Sequence, residues 1–171
     1  CSVQNDWIDK AVLVNPENLL ISSKTPGKFA ELYRTVICTP IIGTFLYNIM
    51  VNKKTIEKDF RLDYYYDQNK ITEKDIMYFY EASQKQHTKG KYLYANINSC
   101  FTNTNIIHGL RNITQPIYIF TGKENPENIL AANQYQNYLP DTHIIELEKT
   151  KRFPHMERPE DFTENLESLY L

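Results

Sequence analysis

The chain has 171 residues, with 19 Lys and Arg against 21 Asp and Glu, and a formal net charge of −2 at pH 7. That length holds one domain, or one small core with an added layer, and the near-neutral balance gives no electrostatic footprint for nucleic acid or an anionic membrane. The five glycines form no phosphate-cradling loop, and Cys1, Cys38 and Cys100 stand too far apart for a disulfide framework or a paired zinc site.

Residues 1–10 read as the end of a helix, because Val3, Trp7 and Ile8 recur at helical spacing while Asp6 and Asp9 face outward. Ala11-Val12-Leu13-Val14 is an unbroken apolar run stopped by Asn15-Pro16, which suits a strand buried on both faces of a parallel sheet. From Glu17 to about Asn112 the character turns helical. Lys28 to Cys38 carries Phe29, Leu32, Tyr33, Val36 and Ile37 on one predicted face, and Thr39-Pro40 ends it. Ile41 to Val51 is a second apolar helix. Its neighbourhood, Val36 to Val51, is interrupted by Thr39, Pro40, Gly43, Thr44 and Asn48, too short and too broken for a membrane span, which needs about 20 residues.

A third helix is expected from Thr55 toward the aromatic cluster Asp63-Tyr64-Tyr65-Tyr66-Asp67. Thr72 to Asp75 resembles a capping box, with Asp in place of Glu. Further helices are expected over Gly90 to Phe101 and Thr104 to Arg111. Tyrosines in this region are expected mainly as packing residues with a wet hydroxyl.

The carboxyl-terminal part has a clearer grammar. Ile117 to Thr121 is an apolar strand, Gly122-Lys123-Glu124-Asn125-Pro126 a turn, and Pro126 to Tyr138 a helix. His143 to Leu147 is a second strand, followed by the loop Lys151 to Pro159 and a last helix with a predicted stripe of Phe162, Leu166, Leu169 and Tyr170. Strand, helix and strand make a βαβ unit, whose functional residues belong at the carboxyl ends of its strands.

Three of these stretches together resemble the carboxyl-terminal part of an α/β-hydrolase. Ala11-Val12-Leu13-Val14-Asn15-Pro16 looks like that fold's sixth strand and the turn opening its lid. The strand ending in Gly122-Lys123-Glu124-Asn125-Pro126 is similar to the seventh strand and its Gly-x-x-Asp-Pro turn. Lys151-Arg152-Phe153-Pro154-His155-Met156-Glu157-Arg158-Pro159-Glu160-Asp161-Phe162 resembles the family's Gly-His-Phe-Pro-His-x-Glu-Arg-Pro-Glu-x-Phe segment. The resemblance implies an α/β fold of three parallel strands with flanking helices and a mostly helical lid insertion. On that reading residues 1–16 hold a helix end and the first core strand, 17–113 the lid, and 114–171 the rest of the core.

The family's chemistry needs a serine in a Gly-x-Ser-x-Gly elbow, then an acid, then a histidine. No such elbow occurs here, and the resemblance places Cys1 in the helix after the elbow, not at the nucleophile. The family's acid position is occupied by Asn125, an amide that cannot become a carboxylate. Its histidine position is Arg152, which is no base near neutral pH.

His155 has two readings. A shifted loop could give it the base role, with Glu124 or Glu17 as acid, or it packs the loop over the last helix. The resemblance thus implies a hydrolase of an ester, amide or similar small acyl substrate, its nucleophile-bearing half outside these residues. The alternative is a degenerate hydrolase fold serving as a binding or regulatory module; a third reading is an independent helical interaction domain. Cofactors and metals are not expected. The expected partner is the amino-terminal half of the same protein, or another chain, covering the edge of the Ala11–Val14 strand. A small-molecule substrate, no nucleic acid, no membrane and a cytoplasmic location complete the expectations.

Overall fold

The computed structural model describes residues 7–170, apart from the side chains of residues 86–88, so most of the helix end expected over residues 1–10 lies outside the described residues. Three parallel strands form one sheet in the order β1 (Ala11–Val14), β2 (Ile117–Gly122), β3 (Thr142–Leu147). Ala11 lies opposite Ile117, and Ile117 opposite Thr142. β2, flanked on both sides, is the most deeply buried, with Ile119, Phe120 and Thr121 at 0% exposure.

β1 departs from the expectation of a strand buried on both faces. It has one neighbour, its first three residues are half-buried, and Val14 is exposed. An unbroken apolar run marks a strand built for burial, and here one side of it is an open edge.

After β2 comes α8 (Pro126–Gln136), and after β3 come α9 (Pro154–Glu157) and α10 (Pro159–Ser168). Ile117 and Ile119 point to the face where Ala132 and Tyr135 of α8 and Leu139 pack, with Ala11, Leu13 and Ile144 at the margin. Phe120 points to the other face, 4.7 Å from Phe162 of α10 between ring centroids. Covering both faces is what a parallel sheet requires. Of the stripe expected on α10, Tyr170 lies beyond the helix and is 70% exposed, with the Lys10 amine 4.9 Å above its ring.

The segment between β1 and β2 is a helical layer. It contains α1 (Leu19–Ser22), α2 (Lys28–Cys38), α3 (Ile42–Met50), α4 (Lys53–Asp59), α5 (Glu73–Thr88), α6 (Gly90–Asn98) and α7 (Ile107–Leu110). α2 ends at Thr39, and α3 leaves at 100° to it. The buried Lys91 amine holds that corner, donating to the Thr39 carbonyl at 2.8 Å and to Thr44 Oγ1 at 2.9 Å. Among the described residues no single helix is long and apolar enough to cross a membrane.

The five apolar residues assigned to one face of α2 divide between two. Ile37 is buried and Tyr33 half-buried, whereas Phe29 is 89% exposed and Leu32 and Val36 are exposed beside it. Periodicity marks a stripe but not which element it meets. α4 begins earlier than expected, at Lys53, because Asn52 caps it by accepting from the Thr55 N–H at 3.1 Å. It then widens into a π-helical turn, Phe60–Tyr64.

The capping box forms as read: the Thr72 N–H donates to Asp75 Oδ2 at 3.1 Å and the Asp75 N–H to Thr72 Oγ1 at 3.2 Å. Two tyrosines of the layer are core residues with particular partners. The Tyr47 hydroxyl donates to the Ser83 carbonyl at 2.8 Å. Tyr65 is buried, and burial, with Asp75 and Glu157 nearby, pushes its hydroxyl up to about 12.

Candidate functional site

The carboxyl ends of the strands are drawn together by one side chain. Asn15, just past β1, has φ 42, a left-handed conformation that Asn tolerates better than most residues. Its Oδ1 accepts from the Gly122 N–H at 3.2 Å, and its Nδ2 donates to the carbonyls of Lys151 at 3.2 Å and Arg152 at 2.7 Å. One amide therefore links the end of β1 to the end of β2 and to the loop after β3. In the sequence it reads only as the stop of a strand.

The β2 turn and the Lys151 loop lie against each other. Lys123 and Glu124 donate their N–H groups to the carbonyls of Leu147 at 3.1 Å and Thr150 at 3.0 Å. A Cβ on Gly122 would stand 1.9 Å from the Lys151 carbonyl oxygen and 2.7 Å from that of Thr150, so only glycine permits this approach. Gly122→Ala is expected to cost about 1–3 kcal/mol by forcing backbone apart. A urea titration would show it as a lowered midpoint, and an unchanged midpoint would mean that the loop yields freely.

Asn125 ends the turn as the N-cap of α8. Its Oδ1 accepts from the Glu127 N–H at 3.0 Å, with Pro126 in the first helical turn. Asn125→Ala should lower stability by about 0.5–2 kcal/mol. Asn125→Asp should keep the cap and gain from the helix dipole. A thermal melt of both variants separates the two effects, and equal losses would contradict the capping role.

The loop after β3 is pinned to the helical layer by its backbone and by a buried acid. The Arg152 N–H donates to the Tyr64 carbonyl at 3.1 Å, and Lys151 Nζ to the Leu62 carbonyl at 2.7 Å. Glu157 is 1% exposed, and its two oxygens accept from the N–H groups of Lys151 and Tyr66, each at 2.7 Å. Burial pushes its carboxyl above the usual carboxylate range, against the lowering effect of those backbone donors and of Lys70. Phe153 completes the junction inside a cluster with Phe60, Tyr64, Tyr65 and Phe79, the nearest ring centroid, that of Tyr64, at 5.1 Å.

The residues singled out from sequence separate into two places. Glu124, Asn125 and Arg152 line one cleft of about 700 Å³, roofed by Leu62 and Asp63 of the helical layer. Glu17 and Arg152 line an adjoining cleft of about 220 Å³ with Asn15, Asn128 and Ile21. Arg152 is exposed, its guanidinium 5.8 Å from the Tyr64 ring centroid, and it has no salt-bridge partner among the described residues. The Tyr64 hydroxyl is raised by burial and by Asp59 and Asp63, with Arg152 opposing.

His155 lies elsewhere. It is exposed on α9, edge-on to Phe153 at 6.1 Å and Phe162 at 5.9 Å, and lines neither cleft. Neither cleft is lined by serine, threonine, cysteine or histidine among the described residues. The arrangement therefore sets Arg152 and Lys151 among the carboxylates of Asp63, Glu124 and Glu127, and it offers none of the hydroxyl, thiol or imidazole groups of a hydrolase triad.

No protein-family model and no curated protein sequence matches this chain. Solved structures do. The chain is similar to Cfl2 from Burkholderia cenocepacia, with a TM-score of 0.70 and 7% identity, over 99% of this chain and 60% of that one. It is similar to a probable hydrolytic enzyme from Pseudomonas aeruginosa, with a TM-score of 0.68 and 11% identity, over 98% and 57% of the two chains. A bromoperoxidase from Bacillus anthracis matches with a TM-score of 0.63 and 14% identity, over 96% and 60%. The chain thus spans about 60% of the length of the structures it matches. Its three parallel strands and flanking helices are the fold of the carboxyl-terminal part of an α/β-hydrolase.

Proposed function

We propose, from that α/β-hydrolase fold, that this chain supplies the substrate-positioning side of a domain acting on an ester, amide or similar small acyl compound. Its nucleophile and the donors for the developing oxyanion then come from polypeptide outside these residues. The observation that carries the reading is the cleft holding Glu124, Asn125 and Arg152 at the carboxyl ends of β2 and β3, under a roof from the helical layer. Ligands of open α/β sheets bind outside those strand ends. The helical layer is then the lid. The similarity to a probable hydrolytic enzyme from Pseudomonas aeruginosa supports this class of chemistry.

A second reading is a domain that binds without cleaving. It is favoured by Asn125, whose side chain is committed to capping α8, and by Arg152 at the turn where the family carries its histidine.

The test uses the polypeptide extended by what its reading frame encodes ahead of Cys1, assayed with p-nitrophenyl acetate. Turnover supports the first reading. Restoring an acid and a base together, as Asn125→Asp with Arg152→His, should then raise kcat/KM on the order of 10²-fold, the usual scale of general base catalysis. Absence of turnover in both proteins would sink the hydrolase reading and leave the second.

A further inference from the structure

The outer side of α3 is apolar and, among the described residues, uncovered. Ile41, Ile42, Phe45 and Ile49 recur there at helical spacing and are 83, 61, 64 and 54% exposed. The inner side is already committed. Gly43 and Tyr47 are buried on it, a Cβ on Gly43 would stand 2.0 Å from the Ile37 carbonyl oxygen, and the Tyr47 hydroxyl is bonded to Ser83. With its corner to α2 held by Lys91, α3 cannot roll over to bury the four residues. The stripe is presented outward by packing that is complete behind it.

What the stripe fits follows from its area and its charge. At those exposures the four side chains offer on the order of 500 Å² of apolar surface, within the range of the largest patch on a typical monomer. A stable interface takes about 800 Å² from each partner, of which about 60% is apolar. One such interface could therefore draw its whole apolar share from α3. No Lys, Arg, Asp, Glu or His occurs from Thr35 to Asn52, so two copies can meet over this helix without opposing like charges. An anionic membrane surface calls instead for a basic rim. Of the cations bracketing that span, Arg34 is bonded to Asn96 and Lys53 to Glu73.

We propose that α3 is the contact between two copies of this chain. Phe45 lies mid-stripe, three residues after Ile42 and four before Ile49. A twofold axis through it stacks Phe45 on Phe45 and, with the two helices antiparallel, sets Ile42 of one copy against Ile49 of the other. The test reads mass and not turnover, so the inference stands or falls apart from the proposed function.

Sedimentation equilibrium of the polypeptide extended by what its reading frame encodes ahead of Cys1 should give a dimer at micromolar concentration. Phe45→Lys, which opposes two charges at the axis, should weaken it at least about thirtyfold, the scale of a residue central to an interface. Mixing Phe45→Lys with Phe45→Glu should restore the dimer, because opposite charges then meet at the axis. Ile42→Glu mixed with Ile49→Lys should pair in the same way, which keeps the test intact if a Phe45 variant fails to fold. Tyr170→Glu, at a position 70% exposed beyond α10, should leave the dimer unchanged.

A monomer overturns the proposal, and its capture by phosphatidylglycerol vesicles, lost in Phe45→Lys, would give the face to lipid instead. A dimer indifferent to Phe45→Lys overturns it too, as association through the open edge of β1 would be. So does failure of both mixtures to pair while their members are folded by circular dichroism.

Discussion

Replacing Phe60 by alanine is expected to cost about 3–5 kcal/mol, the scale for removing a fully buried aromatic. Phe60 is 0% exposed, with Tyr64, Tyr65 and Phe79 at centroid distances of 5.4, 5.5 and 4.9 Å and Phe153 at 6.3 Å. Four of these rings belong to the helical layer and one to the loop carrying Arg152, so the cavity opens at the junction of the two. The damage should therefore extend beyond the melting temperature. Amides around Arg152 and Tyr64, which share a backbone hydrogen bond, should exchange faster than those of β2 and β3. Hydrogen exchange that rises uniformly over the chain would show that the cluster supports the whole fold and not this contact.

Glu157→Ala comes next in size. It removes the acceptor of two backbone N–H groups, Lys151 and Tyr66, and each donor left unsatisfied costs about 1–3 kcal/mol. A loss of about 2–5 kcal/mol in urea unfolding is expected. Glu157→Gln keeps one acceptor oxygen and should lose roughly half as much.

The pH dependence supplies a second signature. The folded carboxyl lies above its usual value, so between the unfolded and folded values the native state holds the extra proton. The stability contributed by this group is fully present below the unfolded value and declines as pH rises through the folded one. Wild type should thus lose stability relative to Glu157→Gln as the pH is raised from about 4.5 through that window. A constant difference between the two proteins across that range would contradict the assignment.

Much of the fold was legible in the residues because the signals were local. The Thr72 and Asp75 pair forms the expected box, and α2 runs over the expected Lys28–Cys38. β2 was visible as an apolar run ending at a turn with glycine and proline. What escaped was decided by partners distant in sequence. Phe29, Leu32 and Val36 repeat at helical spacing, yet the stripe turned to the layer's interior is the one containing Ile37. The π-helical turn at Phe60–Tyr64 sets the Phe60 and Tyr64 rings beside Phe153, a contact distant in sequence that no propensity encodes.

At the site, the turn holding Asn125 and the loop holding Arg152 were identifiable from their glycine and prolines, and they do come together in one cleft. Asn15 and Glu157 were harder to find as the groups that hold those turns. Both act through backbone atoms more than 90 positions away, at Gly122 and Tyr66. The signals available were an Asn-Pro pair closing a strand and an acidic residue between two prolines.

On the proposed function, these residues position a substrate and do not perform the chemistry alone. Its most direct test is p-nitrophenyl acetate hydrolysis by the purified 171-residue chain. A rate equal to buffer is expected, unchanged by His155→Ala, because neither cleft is lined by serine, threonine, cysteine or histidine among the described residues and His155 lines neither of them. Catalysed turnover that disappears in His155→Ala would contradict it.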